Sequence, residues 1–196
     1  NANLLNATTT GVITATILTT ETLTELLTIS AQSDGATANA YTIAIRSEDA
    51  TAATAANLNT LDGLTSVAVN ATNVTAIATS SISTINTALD AGADGTISGL
   101  GTNLATITVA DHGAGSSIDL ADIKNAVTSA DGINGDTTTA LNLAAVTTLA
   151  GSMAEATSLL GYESADSPTV TGLTDQNITI EDQITVDNAN LLNATT

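Results

Sequence analysis

Apolar and polar positions follow two rhythms along this chain, and the rhythms take turns. β-Branched and aliphatic residues, alternating with polar ones or in short runs, predict strands over residues 12–18, 41–46, 67–70, 105–109 and 177–186. Between them apolar residues recur three and four apart, the spacing of one helix face. That rhythm predicts helices over 21–29 on Leu23, Leu26 and Leu27, and over 52–61 on Ala55, Leu58 and Leu61. It predicts two more over 81–89 on Ile82, Ile85 and Leu89, and over 118–127 on Leu120, Ile123 and Val127 behind Asp119 and Asp122. Residues 137–160 read as one or two helices broken near Gly151, and Pro168 marks a link to the last strands. Asp-Gly turns at Asp34, Asp62, Asp94 and Asp131 punctuate the elements. Short helices alternating with Val/Thr-rich strands predict a mixed α/β fold, layered or solenoid-like. A β-rich sandwich with a few helices is the competing architecture.

A small motif recurs within this pattern. Leu61-Asp62-Gly63-Leu64-Thr65-Ser66-Val67 leads into Ala68-Val69-Asn70-Ala71-Thr72, and Leu5-Asn6-Ala7-Thr8-Thr9-Thr10 leads across Gly11 into Val12-Ile13-Thr14-Ala15-Thr16. Each reads as an apolar helix end, a turn of small residues and a Val-containing strand.

A far stronger repeat spans the chain. Asn1-Ala2-Asn3-Leu4-Leu5-Asn6-Ala7-Thr8-Thr9 is identical to Asn188-Ala189-Asn190-Leu191-Leu192-Asn193-Ala194-Thr195-Thr196, 187 residues later. In so biased a composition two positions match about one time in ten. A nine-residue identity anywhere then has a chance on the order of 10^-4 or less. A tag duplicated at both ends would also produce it, but the segment shares the Thr/Ala/Asn/Leu character of the rest. Fixed-period self-similarity marks an array. Residues 1–187 therefore read as one tandem unit, with possible sub-units 1–50, 51–110, 111–167 and 168–187, and 188–196 as the start of the next.

Composition narrows the picture. Apolar residues make up 43% of the chain, enough for a core, yet there is no Phe, Trp or Cys and only two Tyr and one Met. A core of Ala, Val, Ile and Leu suits thin layers at regular spacing better than one thick centre. Two basic residues, Arg46 and Lys124, face twenty acidic ones for a net charge of −18. That balance provides no basic surface for nucleic acid or anionic membranes. Without cysteine there is no disulfide framework and no thiolate metal site. No apolar run reaches the ~18 residues a membrane span needs.

At this point a resemblance can be placed on particular residues. The run Ala56-Asn57-Leu58-Asn59-Thr60-Leu61-Asp62-Gly63-Leu64-Thr65-Ser66-Val67-Ala68-Val69-Asn70-Ala71 resembles repeat segments of giant cyanobacterial cell-surface proteins, the type linked to swimming in marine Synechococcus. Ala40-Tyr41-Thr42-Ile43 and Gly95-Thr96-Ile97-Ser98-Gly99-Leu100-Gly101 are similar to them as well. The resemblance covers about half the chain and departs over 111–161. It implies a surface filament or coat and carries over no catalytic residue.

Candidate chemistry is sparse. The single histidine, His112, lies in Asp111-His112-Gly113-Ala114-Gly115-Ser116-Ser117, but a triad is assembled from separated segments and the glycines make this a turn. Gly99-Leu100-Gly101 opens like a dinucleotide loop and lacks the third glycine and following helix. Calcium is the one ligand with suitable donors. Asp131, Asn134 and Asp136 could wrap one ion, and Asp90 and Asp94 flank another turn; neither set matches an EF-hand or a calcium-binding β-roll, and Asp and Asn are also ordinary turn residues. Asn-x-Thr sequons at Asn6, Asn70, Asn73, Asn177 and Asn193 are about as many sequons as chance predicts in a chain with 17 Asn and 54 Ser and Thr. Thr-x-Thr pairs do not recur regularly enough for an ice-binding face.

The expectation is a non-enzymatic structural repeat of an extracellular filament, sheath or giant cell-surface protein, requiring no cofactor. Its partners are neighbouring copies of itself. The repeat junction is expected at Asn1, Leu4, Leu5, Asn188, Leu191 and Leu192, where terminal strands of one copy bury against the next. The competing function is an adhesin module rigidified by Ca2+ and extending a ligand-binding tip.

Overall fold

A computed structural model describes residues 2–31, 38–101, 103–110, 117–129, 131–165 and 169–193. In chain order they form α1 (Ala2–Asn6), β1 (Thr14–Thr16), α2 (Leu23–Leu26), β2 (Ala40–Thr42), α3 (Ala55–Leu64), β3 (Val69–Asn70), β4 (Ala76–Ser80), α4 (Ile82–Ala93), β5 (Ile97–Ser98) and β6 (Thr106–Ala110). There follow β7 (Ile118–Asp119), α5 (Leu120–Thr128), α6 (Ile133–Asp136), β8 (Leu141–Ala145), β9 (Thr148–Gly151), α7 (Met153–Ser164), β10 (Val170–Thr171), β11 (Asn177–Ile180) and α8 (Val186–Asn193). The fold is mixed α/β, and among the described residues every strand pairing is parallel. An antiparallel sandwich is thereby set aside.

Parallel partners lie between 24 and 35 residues apart, from Thr54 beside Ala78 to Ala110 beside Ala145. Each interval holds a helix, so the chain winds as a solenoid whose coils consist of one helical stretch and the short strands after it. Coils begin at α1, α2, α3, α4, α5 and α7, and α8 opens a seventh. Strands stack as β4-β6-β8-β10 and β7-β9-β11, with β1-β2 and β3-β5 as separate pairs. On the helical side α3 packs on α4, α4 on α5 and α6, and α5 on α7.

The register explains why a core without Phe or Trp suffices. Ile77 faces Ile107, Ile107 faces Leu141 and Leu141 faces Val170, each at most 1% exposed. One side chain per coil thus stacks on its like along the axis. A shorter column runs through Ile118, Leu149 and Ile178. Helix residues Leu58, Leu61, Ile85, Leu89 and Ile123 close the layer from the other side.

Polar side chains tie coil to coil. Ser and Thr hydroxyls donate to carbonyls of the coil before: Thr65 to Tyr41 at 2.7 Å, Thr137 to Gly101 at 3.2 Å and Thr139 to Leu104 at 2.6 Å. Helix starts use a double cap. Thr22, Thr54, Ser81 and Ser152 each accept the N–H three residues on, which satisfies one of the orphan donors of a first turn. The N–H of the first helical residue is then accepted by the end of the same coil, where the chain has come round to the next helix: Leu23 by Asp49 at 2.8 Å, Ala55 by Ser80 at 3.0 Å, Met153 by Asp182 at 2.9 Å. Turns also stack closely. Gly99, at φ +78°, would place a Cβ 2.9 Å from the Cα of Thr72 one coil earlier.

The structure corrects several sequence-based boundaries. Residues 137–160 follow α6 and hold β8, β9 and only then the start of α7, because Leu141, Leu143 and Leu149 point into stacked layers, which Ala/Leu-rich composition had disguised as helix. The last strand stops at Ile180, and α8 begins at Val186 inside the stretch expected as strand. The terminal segments expected to meet as strands are helices. Strand β4 had no sequence signal, its Ala-Ile-Ala-Thr-Ser having one buried aliphatic, Ile77. Gly99 to Gly101 is the turn between β5 and β6.

Candidate functional site: the two end coils

Helices α1 and α8 lie in the two copies of the repeated nine-residue sequence, α1 opening the first coil and α8 following the last strand, β11. Asn1 and residues 194–196 lie outside the described residues. The shared residues nevertheless have different surroundings. Asn6 is buried at 5% exposure, whereas its copy Asn193 is exposed. Leu5 is 52% exposed, whereas its copy Leu192 is half-buried against the core.

Each difference has one cause. The coil after α1 is present, and α1 is bonded to it. Asn3 Nδ2 donates to the Thr28 carbonyl at 2.8 Å, and its Oδ1 accepts from the Ser30 N–H at 2.7 Å. Asn6 Nδ2 donates to the Ala31 carbonyl at 2.6 Å, and its Oδ1 accepts from Asn39 Nδ2 at 3.1 Å. Asn39, fully buried, accepts the Ile13 N–H at 2.9 Å and so completes a chain of amides between the first two coils. The coil before α8 is also present, and α8 rests on it. Ala189 and Leu192 line a groove of about 420 Å³ with Ile178, Ile180 and Ile184. At the other end a groove of about 460 Å³ is lined by Ala2 and Leu5 with Ile17 and Leu18 of the first coil and Leu26 and Ile29 of the second.

Large exposed apolar residues concentrate at these ends. Leu4, Leu5, Val12 and Leu18 belong to the first coil, and Ile184, Val186 and Leu191 to α8 and the segment leading into it; among the described residues Val67 alone lies elsewhere. Of the expected junction residues, Leu4, Leu5 and Leu191 are exposed, while Asn188 and Leu192 are half-buried. Asn3, Asn6, Asn190 and Asn193 escaped the sequence reading. Their signal was the Asn-x-x-Asn spacing, which puts both amides on one helix face.

The carboxylates form a second feature. Asp136 ends α6, which packs on α4, the helix carrying Asp90. Burial raises the Asp136 carboxyl above its ordinary value, and the charges of Asp90, Asp131 and Asp94 push in the same direction. Its Oδ2 is buried with no hydrogen-bond donor among the described residues. The two acidic turns read separately in the sequence therefore act on one carboxyl group. Asn134, the third expected ligand, is exposed, and no group of three or more metal-ligating His, Cys, Asp or Glu side chains occurs among the described residues.

Elsewhere the carboxylates serve helix starts. Thr22 holds the Glu25 carboxyl below its usual value through its backbone N–H, and Ser152 does the same for Glu155. Asp49 is lowered first by the Leu23 N–H and then by Arg46, whose Nε lies 2.8 Å away. His112 lies outside the described residues. No helix among them is long and apolar enough to cross a membrane. Comparison with protein-family models, curated proteins and solved structures finds no match to this chain.

Proposed function

We propose that this chain is one unit of a tandemly repeated, extracellular structural protein, a filament, sheath or giant cell-surface chain, whose work is mechanical and not catalytic. The observation that carries this reading is the pair of helices built on one repeated sequence at opposite ends of the solenoid, one exposing what the other covers. Solenoids that stand alone close their ends with polar capping repeats. Here both ends carry apolar side chains and, in β1, β10 and β11, parallel strand edges, which invite a further layer. Six coils at the ~4.8 Å spacing of paired strands advance roughly 29 Å per unit. The high negative charge keeps so long a body soluble and discourages lateral bundling.

The test is the mass of the native material on a denaturing gel, with surface proteolysis of intact cells. A species of hundreds of kilodaltons, shaved from the surface, is expected. A single intracellular band near 19.3 kDa would sink the reading.

The crowding around Asp136 favours a second reading, an adhesin stalk stiffened by calcium. On that reading a chelator lowers the melting temperature clearly, because a cation bound to the folded state stabilises it by mass action. A body held by packing alone responds only as far as ionic strength changes.

A further inference from the structure

We infer that α8 is the first helix of the following unit in place, so that consecutive units share one uninterrupted solenoid, with Asn190 and Asn193 bonded across the seam as Asn3 and Asn6 are bonded to the second coil. The inference rests on the tandem reading above and adds the geometry of the joint. Its occupant is a second copy of this unit, and three observations on the two ends select it.

Sequence supplies the first. The nine residues that enter the last coil are those that enter the first, so the same side chains are offered to whatever comes next. The second is complementarity of burial. At α1 the side towards the following coil is covered and Asn6 is buried; at α8 the side towards the preceding coil is covered and Leu192 is half-buried. Together the two helices show both halves of one internal environment. The third is what lines the grooves. Ala2 and Leu5 border a groove shared with Leu26 and Ile29 of the following coil, and their copies Ala189 and Leu192 border one over Ile178 and Ile180 of the preceding coil. A preceding unit would thus place its Ile178 and Ile180 beneath Leu5.

A flexible linker between independent domains would not require this match. Asn190 and Asn193 would be surface residues with no geometry to satisfy. In a continuous solenoid Asn190 meets the backbone equivalent to Thr28 and Ser30, and Asn193 meets the equivalents of Ala31 and Asn39. Asn193 is then removed from solvent, as Asn6 is.

Hydrogen exchange distinguishes the two. In native material, a peptide containing Asn-Ala-Asn-Leu-Leu-Asn-Ala-Thr-Thr is expected to exchange as slowly as one from α3. A chain of two units, residues 1–196 continued by residues 10–196, is expected to melt in one transition. Its seam helix should exchange about 100-fold more slowly than α8 of the single unit. Asn193→Ala should speed exchange at the seam by about 10-fold in the two-unit chain and leave the single unit unchanged. Two transitions at the single-unit temperature, or a native seam exchanging as fast as single-unit α8, would overturn the seam. Either result would leave a giant native chain standing, whereas a 19.3 kDa native mass would remove the tandem reading itself.

Discussion

The first and last helices carry the same residues and hold them differently. Asn6 is buried with its amide bonded on both sides, while Asn193 is exposed; Leu5 is exposed, while Leu192 is half-buried. Neither difference comes from the helix. It comes from which neighbouring coil is there, so in this architecture burial belongs to the stack and not to the residue. Inner coils have a layer above and below; end coils have one.

Four tests would break or sharpen that contrast, in descending order of expected effect. Ile107→Ala removes the middle of the Ile77–Ile107–Leu141–Val170 column and should cost about 2–5 kcal/mol in urea unfolding. Leu4→Ala, at a position 69% exposed, should stay within about 0.5 kcal/mol. A similar cost at both sites would mean the columns do not carry the stability.

Asn6→Ala strips Asn39 of its buried partner and should cost about 1–3 kcal/mol by the same measurement. The identical change at Asn193 should do nothing in the single unit. Third, two glycines should respond with opposite sign. Gly99→Ala meets the Thr72 backbone at positive φ and should cost about 1–3 kcal/mol. Gly63→Ala, at an exposed position of α3 with nothing within 4 Å of its added Cβ, should gain up to about 1 kcal/mol.

The smallest change concerns pH. The Asp136 carboxyl is raised in the folded state, so the folded chain holds its proton more tightly than the unfolded chain does. Its contribution is fully present below the ordinary value of 3.8 and is lost as pH rises through the raised value. Asp136→Asn should therefore raise the melting temperature near neutrality and lose that advantage in acid. Glu25, Asp49 and Glu155 act in the other direction, stabilising above their ordinary values of 4.5, 3.8 and 4.5 and losing it as pH falls. A stabilising effect of Asp136→Asn that persisted unchanged in acid would count against the carboxylate crowding.

Legibility in the sequence followed the strength of local periodicity. The helices on Leu58, Ile85 and Ile123 were readable because each buries a face at three-four spacing beneath a capping residue. Strands β4, β8 and β9 were not, because four or five residues rich in Ala, Leu and Thr carry too few positions to show a period. Their conformation is imposed by parallel partners about 30 residues away. The junction leucines were legible as repeated apolar residues. The asparagines between them were not, since Asn reads locally as a turn former and its role here needs a backbone from another coil.

What the sequence determined by itself was the alternation of helix and strand, the thin aliphatic core and the identity of the two ends. These follow from residue type and order, which act over a few neighbours or can be compared by eye. Tertiary structure alone decided that strands pair in parallel one coil apart, that Asp136 lies under the influence of Asp90, and that one copy of the repeated helix is buried where the other is open. Such facts depend on which distant segments share a layer. No short-range propensity encodes that, because the free energy that selects it comes from the assembled stack.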